Sequence, residues 1–130
     1  MADVVFAPLT EARLDWSSGE PWAISFGDRY FSAHTGVAEA QHVFVQGNKL
    51  PARFAALPSG AYFTIGETGF GTGLNFLEAA QCFLDHAPAD ARLCFISCEK
   101  YPLTRNDLAL SPQLFTRHAA LAATLRDCYP

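Results

Sequence analysis

The stretch "YFTIGETGFGTGLNF", Tyr62 to Phe76, decides the fold, because it sets a glycine-rich loop between two apolar runs. The first run is rich in β-branched and aromatic residues and too short for a helix, so it predicts a buried strand from Ala61 to Gly66. The second, "GLNFLEAAQCFLDH", has apolar residues at helical spacing and predicts a helix that ends before Pro88. Its predicted apolar face consists of Leu74, Leu77, Ala80, Cys82, Phe83 and Leu84.

A second apolar run, "ARLCFISCE" from Ala91 to Glu99, follows that helix. It is nearly continuous, as in strands buried in the middle of a parallel sheet, and it completes a predicted βαβ unit. Two further helical segments are predicted, from Pro102 to Leu110 and from Pro112 to Leu125. Thr104 and Asp107 have the spacing of a helix cap in the first of them.

The residues before the loop predict smaller elements. Short extended pieces with turns at Ser18-Gly19 and Gly27-Asp28 are expected in the first 35 residues. "VAEAQHVFVQGN" has helical spacing, with Gly47-Asn48 as its stop. "LPARFAAL" is interpreted as an extended strand, and Pro58-Ser59-Gly60 as a turn.

Composition limits the class of protein. With 130 residues the chain holds one domain at most, and 50% hydrophobic with 17% charged residues indicates a globular fold. The net charge of -4 and the pI near 5.4 do not indicate a surface that binds a polyanion such as a nucleic acid. No apolar run of about 18 residues predicts a membrane span, and the start of the chain carries acids where a signal peptide needs bases, so we expect a cytoplasmic protein with no membrane contact.

The four cysteines form no CxxC pair, so the sequence predicts reduced, buried thiols and no metal site. They are Cys82, Cys94, Cys98 and Cys128.

The loop carries Gly66, Gly69, Gly71 and Gly73, more glycines than a tight turn requires, and therefore indicates a nucleotide ligand. A phosphate-binding loop does not fit, because no lysine follows Gly71. The dinucleotide fingerprint GxGxxG does not fit either, because Leu74 stands where its third glycine belongs.

The pattern E-x-G-x-G-x-G, with Glu67 ahead of the glycines, resembles motif I of the class I S-adenosylmethionine-dependent methyltransferases. A carboxylate suits a cofactor that carries an ammonium and a sulfonium and has no phosphate. Glu99 ends the next predicted strand, 26 residues past Gly73, where an acid can accept hydrogen bonds from both ribose hydroxyls. Both acids are therefore predicted at the carboxyl edge of the sheet.

Two longer strings, "ETGFGTGLNF" (67–76) and "FISCEKYPLTRNDLA" (95–109), are similar to the tRNA (5-methylaminomethyl-2-thiouridylate) methyltransferases. With "DRYFSAHTGVAEAQHVFVQGN" (28–48), the resemblance spans most of residues 24 to 110. It implies methylation of the aminomethyl nitrogen of the wobble uridine in tRNA with S-adenosylmethionine, and FAD where an oxidase domain is fused. The family commonly has a Glu-Thr-Arg-like run where this chain has Glu39-Ala40-Gln41.

The resemblance also implies roles for individual residues. The residues implied at the methionine side of the cofactor are Glu67, Gly69, Gly71, Gly73 and Asn75, and Phe70 is implied as a further cofactor-binding residue. Glu99, Lys100 and Tyr101 are implied at the adenosine side, and Tyr30 and Phe31 as a cover. No catalytic residue is assigned, because the family's later Asp-Gly-Phe-Ala-Pro string, which looks like the site of the catalytic acid, is absent from this chain. The four histidines (His34, His42, His86 and His118) are expected as surface or core residues.

The sequence thus predicts an α/β fold: a partial Rossmann-like, doubly wound sheet preceded by a small α+β segment. Residues 1–60 are predicted as the family-specific segment and 61–130 as the first βαβ part of a truncated S-adenosylmethionine-binding domain. We expect weak or no turnover from the chain alone, and self-association through exposed sheet edges. Two rival interpretations stay open: a nicotinamide or flavin oxidoreductase, and a non-catalytic remnant of a cofactor-binding fold.

Overall fold

The computed structural model describes residues 7–32, 35–111 and 116–130. Three short antiparallel strands come first: β1 (Leu14–Asp15), β2 (Trp22–Ala23) and β3 (Asp28–Arg29). The turns between them contain Gly19 and Gly27, both with positive φ, as the predicted turns require.

A helical segment follows, and most of it has π geometry. It begins as α1 (Gly36–Glu39) and continues as a π-helix over Ala40–Gln46. The amide of Gly47 donates to the carbonyl of His42, five residues earlier, at 3.0 Å. The helix predicted from "VAEAQHVFVQGN" is confirmed. Most of it has the wider π-helical turn, and π-helical turns are often found at functional sites.

The prediction of an extended strand at "LPARFAAL" is wrong, because residues Leu50–Ala55 form helix α2. Pro51 lies in the first turn of α2, where the missing N–H of proline is harmless. Leu50 and Phe54, four residues apart, are 2% and 0% exposed. Burial of one helical face therefore decides the conformation of this segment.

The predicted βαβ unit is confirmed. It consists of β4 (Tyr62–Thr68), α3 (Leu74–His86) and β5 (Arg92–Cys98). The two strands are parallel, and their register sets Glu67 opposite Ser97. The carboxyl ends of both strands therefore meet at one edge, directly below the glycine loop.

One face of the β4–β5 sheet is covered and the other is open, so the predictions of a buried β4 and of a fully buried β5 are both wrong for this chain; in β4 only Ile65 is buried. Exposure alternates along β5, with Cys94 and Cys98 exposed and Phe95 half-buried. The predicted burial of the thiols holds for Cys82 and is wrong for the other three, because Cys94 and Cys98 lie on the open face and Cys128 ends the last helix. All four thiols are free.

The C-terminal residues form α4 (Arg105–Leu110), a 3-10 turn (Thr116–His118) and α5 (Ala119–Cys128). The predicted cap is present, because the Asp107 amide donates to the Thr104 hydroxyl oxygen at 3.0 Å. The predicted second helix is confirmed over α5, while Pro112 to Phe115 lie outside the described residues.

Two apolar clusters hold these elements together. The larger one packs the Phe54 ring edge-on against Phe63 and Phe83, with ring centroids 4.9 and 5.1 Å apart. The smaller one joins α3 to α5 and includes Leu77 but not Leu84, which is 64% exposed, so the prediction that Leu84 belongs to the buried face is wrong. Within the described residues, no helix has the length and apolar character needed to cross a membrane.

Candidate functional site

The glycine loop needs three of its four glycines for backbone geometry. Gly69, Gly71 and Gly73 have φ of 84°, 55° and 77°, a region that other residues rarely adopt. A Cβ on Gly73 would also lie 2.9 Å from side-chain atoms of Phe70 and Leu125. Gly66 lies in β4, has no positive φ and has open space around it. The backbone geometry therefore does not require a glycine at this position.

Glu99 holds the loop in place. One carboxylate oxygen of Glu99 accepts from the Gly71 amide at 3.0 Å, and the other accepts from the Tyr101 amide at 2.9 Å. The residue is half-buried just past the end of β5. Each carboxylate oxygen has a second lone pair, so Glu99 retains the capacity to accept from a ligand's paired hydroxyls.

Glu67 has a different environment from the one that its position in the motif suggests. Its two carboxylate oxygens accept from the Asn75 amide nitrogen at 3.0 Å and from the Ser97 hydroxyl at 2.8 Å. Both donors lie on the covered side of the sheet, on α3 and β5. Glu67 therefore ties the first turn of α3 to the end of β5.

Tyr30 lies above this loop. Its hydroxyl oxygen is 3.8 Å from the point where a Cβ on Gly71 would stand. Burial, together with the nearby Glu99 carboxylate, raises the pKa of the Tyr30 phenol above its usual range. Tyr30 is therefore a neutral hydrogen-bonding group at any physiological pH.

Two cavities meet at Tyr30. The first, which we name the Glu99 cavity, has a volume of about 510 Å³ and lies between Glu99, Tyr101 and the N-terminal residues around Phe26. The second, the Arg29 cavity, has a volume of about 460 Å³ and lies between the glycine loop and the α1–π segment. Both have the size typical of small-molecule sites.

The structure brings most of the predicted site residues to these cavities. Tyr30, Phe31, Phe70, Gly71 and Asn75 line the Arg29 cavity, and Tyr30, Glu99 and Tyr101 line the Glu99 cavity. Glu67, Gly69, Gly73 and Lys100 line neither of the two. Lys100 is exposed, and its Nζ lies 5.2 Å from the centre of the Tyr101 ring.

Sequence reasoning missed three residues of this region: Ser97, Arg29 and Glu39. Ser97 faces Glu67 in the strand register, so aligning the two predicted strands would have found it. Arg29 and Glu39 line the Arg29 cavity from β3 and α1. No motif links them to the glycine loop, because only the folded N-terminal segment brings them there.

The three histidines that the structure describes, His42, His86 and His118, line neither cavity. His42 and His86 are exposed and His118 is buried, as predicted, whereas His34 lies outside the described residues. Across the described residues, no group of three or more His, Cys, Asp or Glu side chains is placed to hold a metal ion.

The amino-acid sequence is closely similar to parts of longer proteins. It is 54% identical over 123 residues to the tRNA 5-methylaminomethyl-2-thiouridine biosynthesis bifunctional protein MnmC of Chromohalobacter salexigens, a match over 95% of this chain and 18% of that protein. For the protein of the same name from Chromobacterium violaceum, the identity is 57% over 100 residues, covering 77% of this chain and 15% of that protein. No protein-family model matches.

The fold is similar to that of a solved structure, described as the crystal structure of MNMC2 from Aquifex aeolicus. The TM-score is 0.64 at 18% sequence identity, over 93% of this chain and 38% of that one. This likeness supports the partial Rossmann-like α/β fold. The chain spans only 15% to 18% of the length of these two curated relatives. Over that span, it belongs to the family of the MnmC bifunctional proteins.

Proposed function

We propose that the Glu99 and Arg29 cavities together bind S-adenosylmethionine. The observation that carries this proposal is the Glu99 carboxylate, held by the Gly71 and Tyr101 amides with lone pairs left for two ribose hydroxyls. The loop below it has three positive-φ glycines, which allow close backbone approach to a ligand, and no lysine for a phosphate. We assign the adenosine part to the Glu99 cavity and the methionine part to the Arg29 cavity.

We further propose that the intact protein methylates the aminomethyl group of 5-aminomethyl-2-thiouridine at the wobble position of tRNA, in the cytoplasm. The relatives named for the biosynthesis of 5-methylaminomethyl-2-thiouridine in tRNA support this substrate. The cofactor supplies an electrophilic methyl group, and the amine must reach it in line and unprotonated. Residues 61–130 would form the first part of the cofactor domain and residues 1–60 its family-specific cover, with Tyr30 and Phe31 over the loop. FAD would belong to a fused oxidase domain and not to these cavities.

The first experiment measures binding by calorimetry with S-adenosylhomocysteine, NAD and FAD as separate titrants. We expect binding of S-adenosylhomocysteine and none of NAD or FAD. Glu99→Gln should weaken the binding by about 10- to 100-fold, because hydrogen bonds to a charged acceptor contribute about 1.5 to 3 kcal/mol. Asp127→Asn is the control, since Asp127 is exposed on α5 and forms a surface ion pair.

Each alternative outcome is distinct. Binding of NAD without S-adenosylhomocysteine would support the oxidoreductase interpretation, and no response to any titrant would support a non-catalytic remnant. Unchanged affinity in Glu99→Gln would remove Glu99 from the site. Methylation assays on undermodified tRNA should show weak or no turnover by these 130 residues.

A further inference from the structure

The lining of the Arg29 cavity includes one positively and one negatively charged residue. Arg29 comes from β3 and Glu39 from the last residue of α1. Phe31, Phe70 and Leu74 form apolar wall, and among the described lining residues Arg29 and Glu39 are the charged ones. Such a cavity favours a ligand that carries both signs of charge on one small group.

Both charges are available to a ligand. In the described part of the chain, the ion pairs are His118 with Glu78 and Arg126 with Asp127, so neither Arg29 nor Glu39 is neutralised by a protein partner. The backbone amide of Arg29 donates to the Asp28 carboxylate at 2.7 Å. The guanidinium N–H groups of Arg29 therefore remain available for a bidentate contact with a ligand.

Glu67 lies outside the lining of this cavity. Its two carboxylate oxygens accept from Asn75 and Ser97, so Glu67 joins α3 to β5. Glu39 is the carboxylate that lines the cavity, where it is placed to meet an ammonium.

We infer that Arg29 and Glu39 bind the α-carboxylate and the α-ammonium, respectively, of the amino-acid end of an S-adenosyl ligand. A guanidinium matches the planar geometry of a carboxylate, and a carboxylate accepts hydrogen bonds from an ammonium. Gly71 and Asn75 line the same cavity, which joins this subsite to the glycine loop. Tyr30 lines both cavities and marks the passage from the amino-acid end to the adenosine end. The inference rests on the proposed function.

The test compares two ligands that differ in the amino-acid end. S-adenosylhomocysteine carries it, whereas 5′-deoxy-5′-methylthioadenosine has a methyl group in its place. Affinities are measured by calorimetry for the wild type, Arg29→Gln and Glu39→Gln. Arg126→Gln and Asp127→Asn serve as matched controls, because they change an exposed ion pair on α5. Circular dichroism checks that every variant is folded.

We expect each of Arg29→Gln and Glu39→Gln to lower the affinity for S-adenosylhomocysteine by about 10-fold or more, because each removes one charge-assisted hydrogen bond. The affinity for methylthioadenosine should stay within about twofold of wild type, and the controls should leave both ligands unaffected. This pattern would support the inference.

Three results would overturn it. Unchanged S-adenosylhomocysteine affinity in both variants would reject the inference and leave the proposed function standing. An equal loss for both ligands would show that the two side chains shape the cavity without recognising the amino acid. Failure of the wild type to bind either ligand would reject the proposed function, and the inference with it.

Discussion

His118 and Glu78 form a buried hydrogen-bonded pair that joins the C-terminal helical region to the βαβ unit. The His118 Nε2 lies 2.8 Å from Oε1 of Glu78, and the two side chains are 1% and 5% exposed. The second oxygen of Glu78 accepts from the Gln41 amide at 3.3 Å. Three segments, α3, the π-helix and the 3-10 turn, thus meet at one buried carboxylate.

His118→Leu should lower the free energy of unfolding by about 3 kcal/mol, because it leaves the buried Glu78 carboxylate with one of its two partners. Urea denaturation measures the change. Arg126→Ala is the control, since its ion pair with Asp127 is exposed and should contribute less than about 1 kcal/mol. The double variant with Glu78→Leu should recover part of the loss, and a purely additive result would show that the pair is not coupled.

The glycine loop allows a comparison of three alanine variants at neighbouring positions. Gly73→Ala should be the most harmful, because it combines a φ of 77° with a Cβ 2.9 Å from Phe70 and Leu125. Gly69→Ala has the positive φ but open space, so strain alone should cost about 1 kcal/mol or slightly more. Gly66→Ala meets neither penalty and should be close to neutral. Thermal denaturation would contradict this explanation if Gly66→Ala proved as harmful as Gly73→Ala.

The thiols should differ in reactivity. Burial raises the pKa of Cys82, so at any given pH its thiolate fraction is smaller than that of an unperturbed thiol, whereas Cys94, Cys98 and Cys128 are exposed. Labelling at pH 8 with a thiol reagent should modify three cysteines rapidly and Cys82 slowly. Mass spectrometry of the digest identifies the sites. Addition of denaturant should make Cys82 react with the others, and rapid labelling of Cys82 in the native protein would contradict its burial.

The sequence predicts the βαβ unit well because each part carries a strong local signal. Short runs of apolar and aromatic residues mark β4 and β5, and the glycines mark the loop that leads into α3. The strand predicted at "LPARFAAL" is wrong, because the spacing of Leu50 and Phe54 matches a buried helical face and Pro51 fits the first turn of a helix. In such a short segment, burial against the rest of the fold decides between helix and strand.

The candidate site was predictable where it depends on one motif and its neighbouring strand. Glu99 and Gly71 were both predicted at the site, and the structure joins them by a hydrogen bond of 3.0 Å. Arg29 and Glu39 were not predicted, because their position depends on how the N-terminal segment folds over the loop. Glu67 accepts hydrogen bonds from Asn75 and Ser97, and a sequence pattern does not specify such side-chain contacts.

The open face of the β4–β5 sheet should promote self-association of this chain. Tyr62 and Ile96 are 72% and 56% exposed on this face. Within the described residues, β4 and β5 pair only with each other, so unpaired backbone groups remain at both edges of the sheet. Ile96→Lys should shift sedimentation-velocity profiles towards monomer, because a charged side chain on this face opposes strand pairing and apolar contact. Leu84→Lys is the control, since Leu84 is 64% exposed on helix α3, which has no open strand edge. A wild-type chain that stays monomeric across the concentration series, or an equal effect of both variants, would show that the sheet face is not the contact.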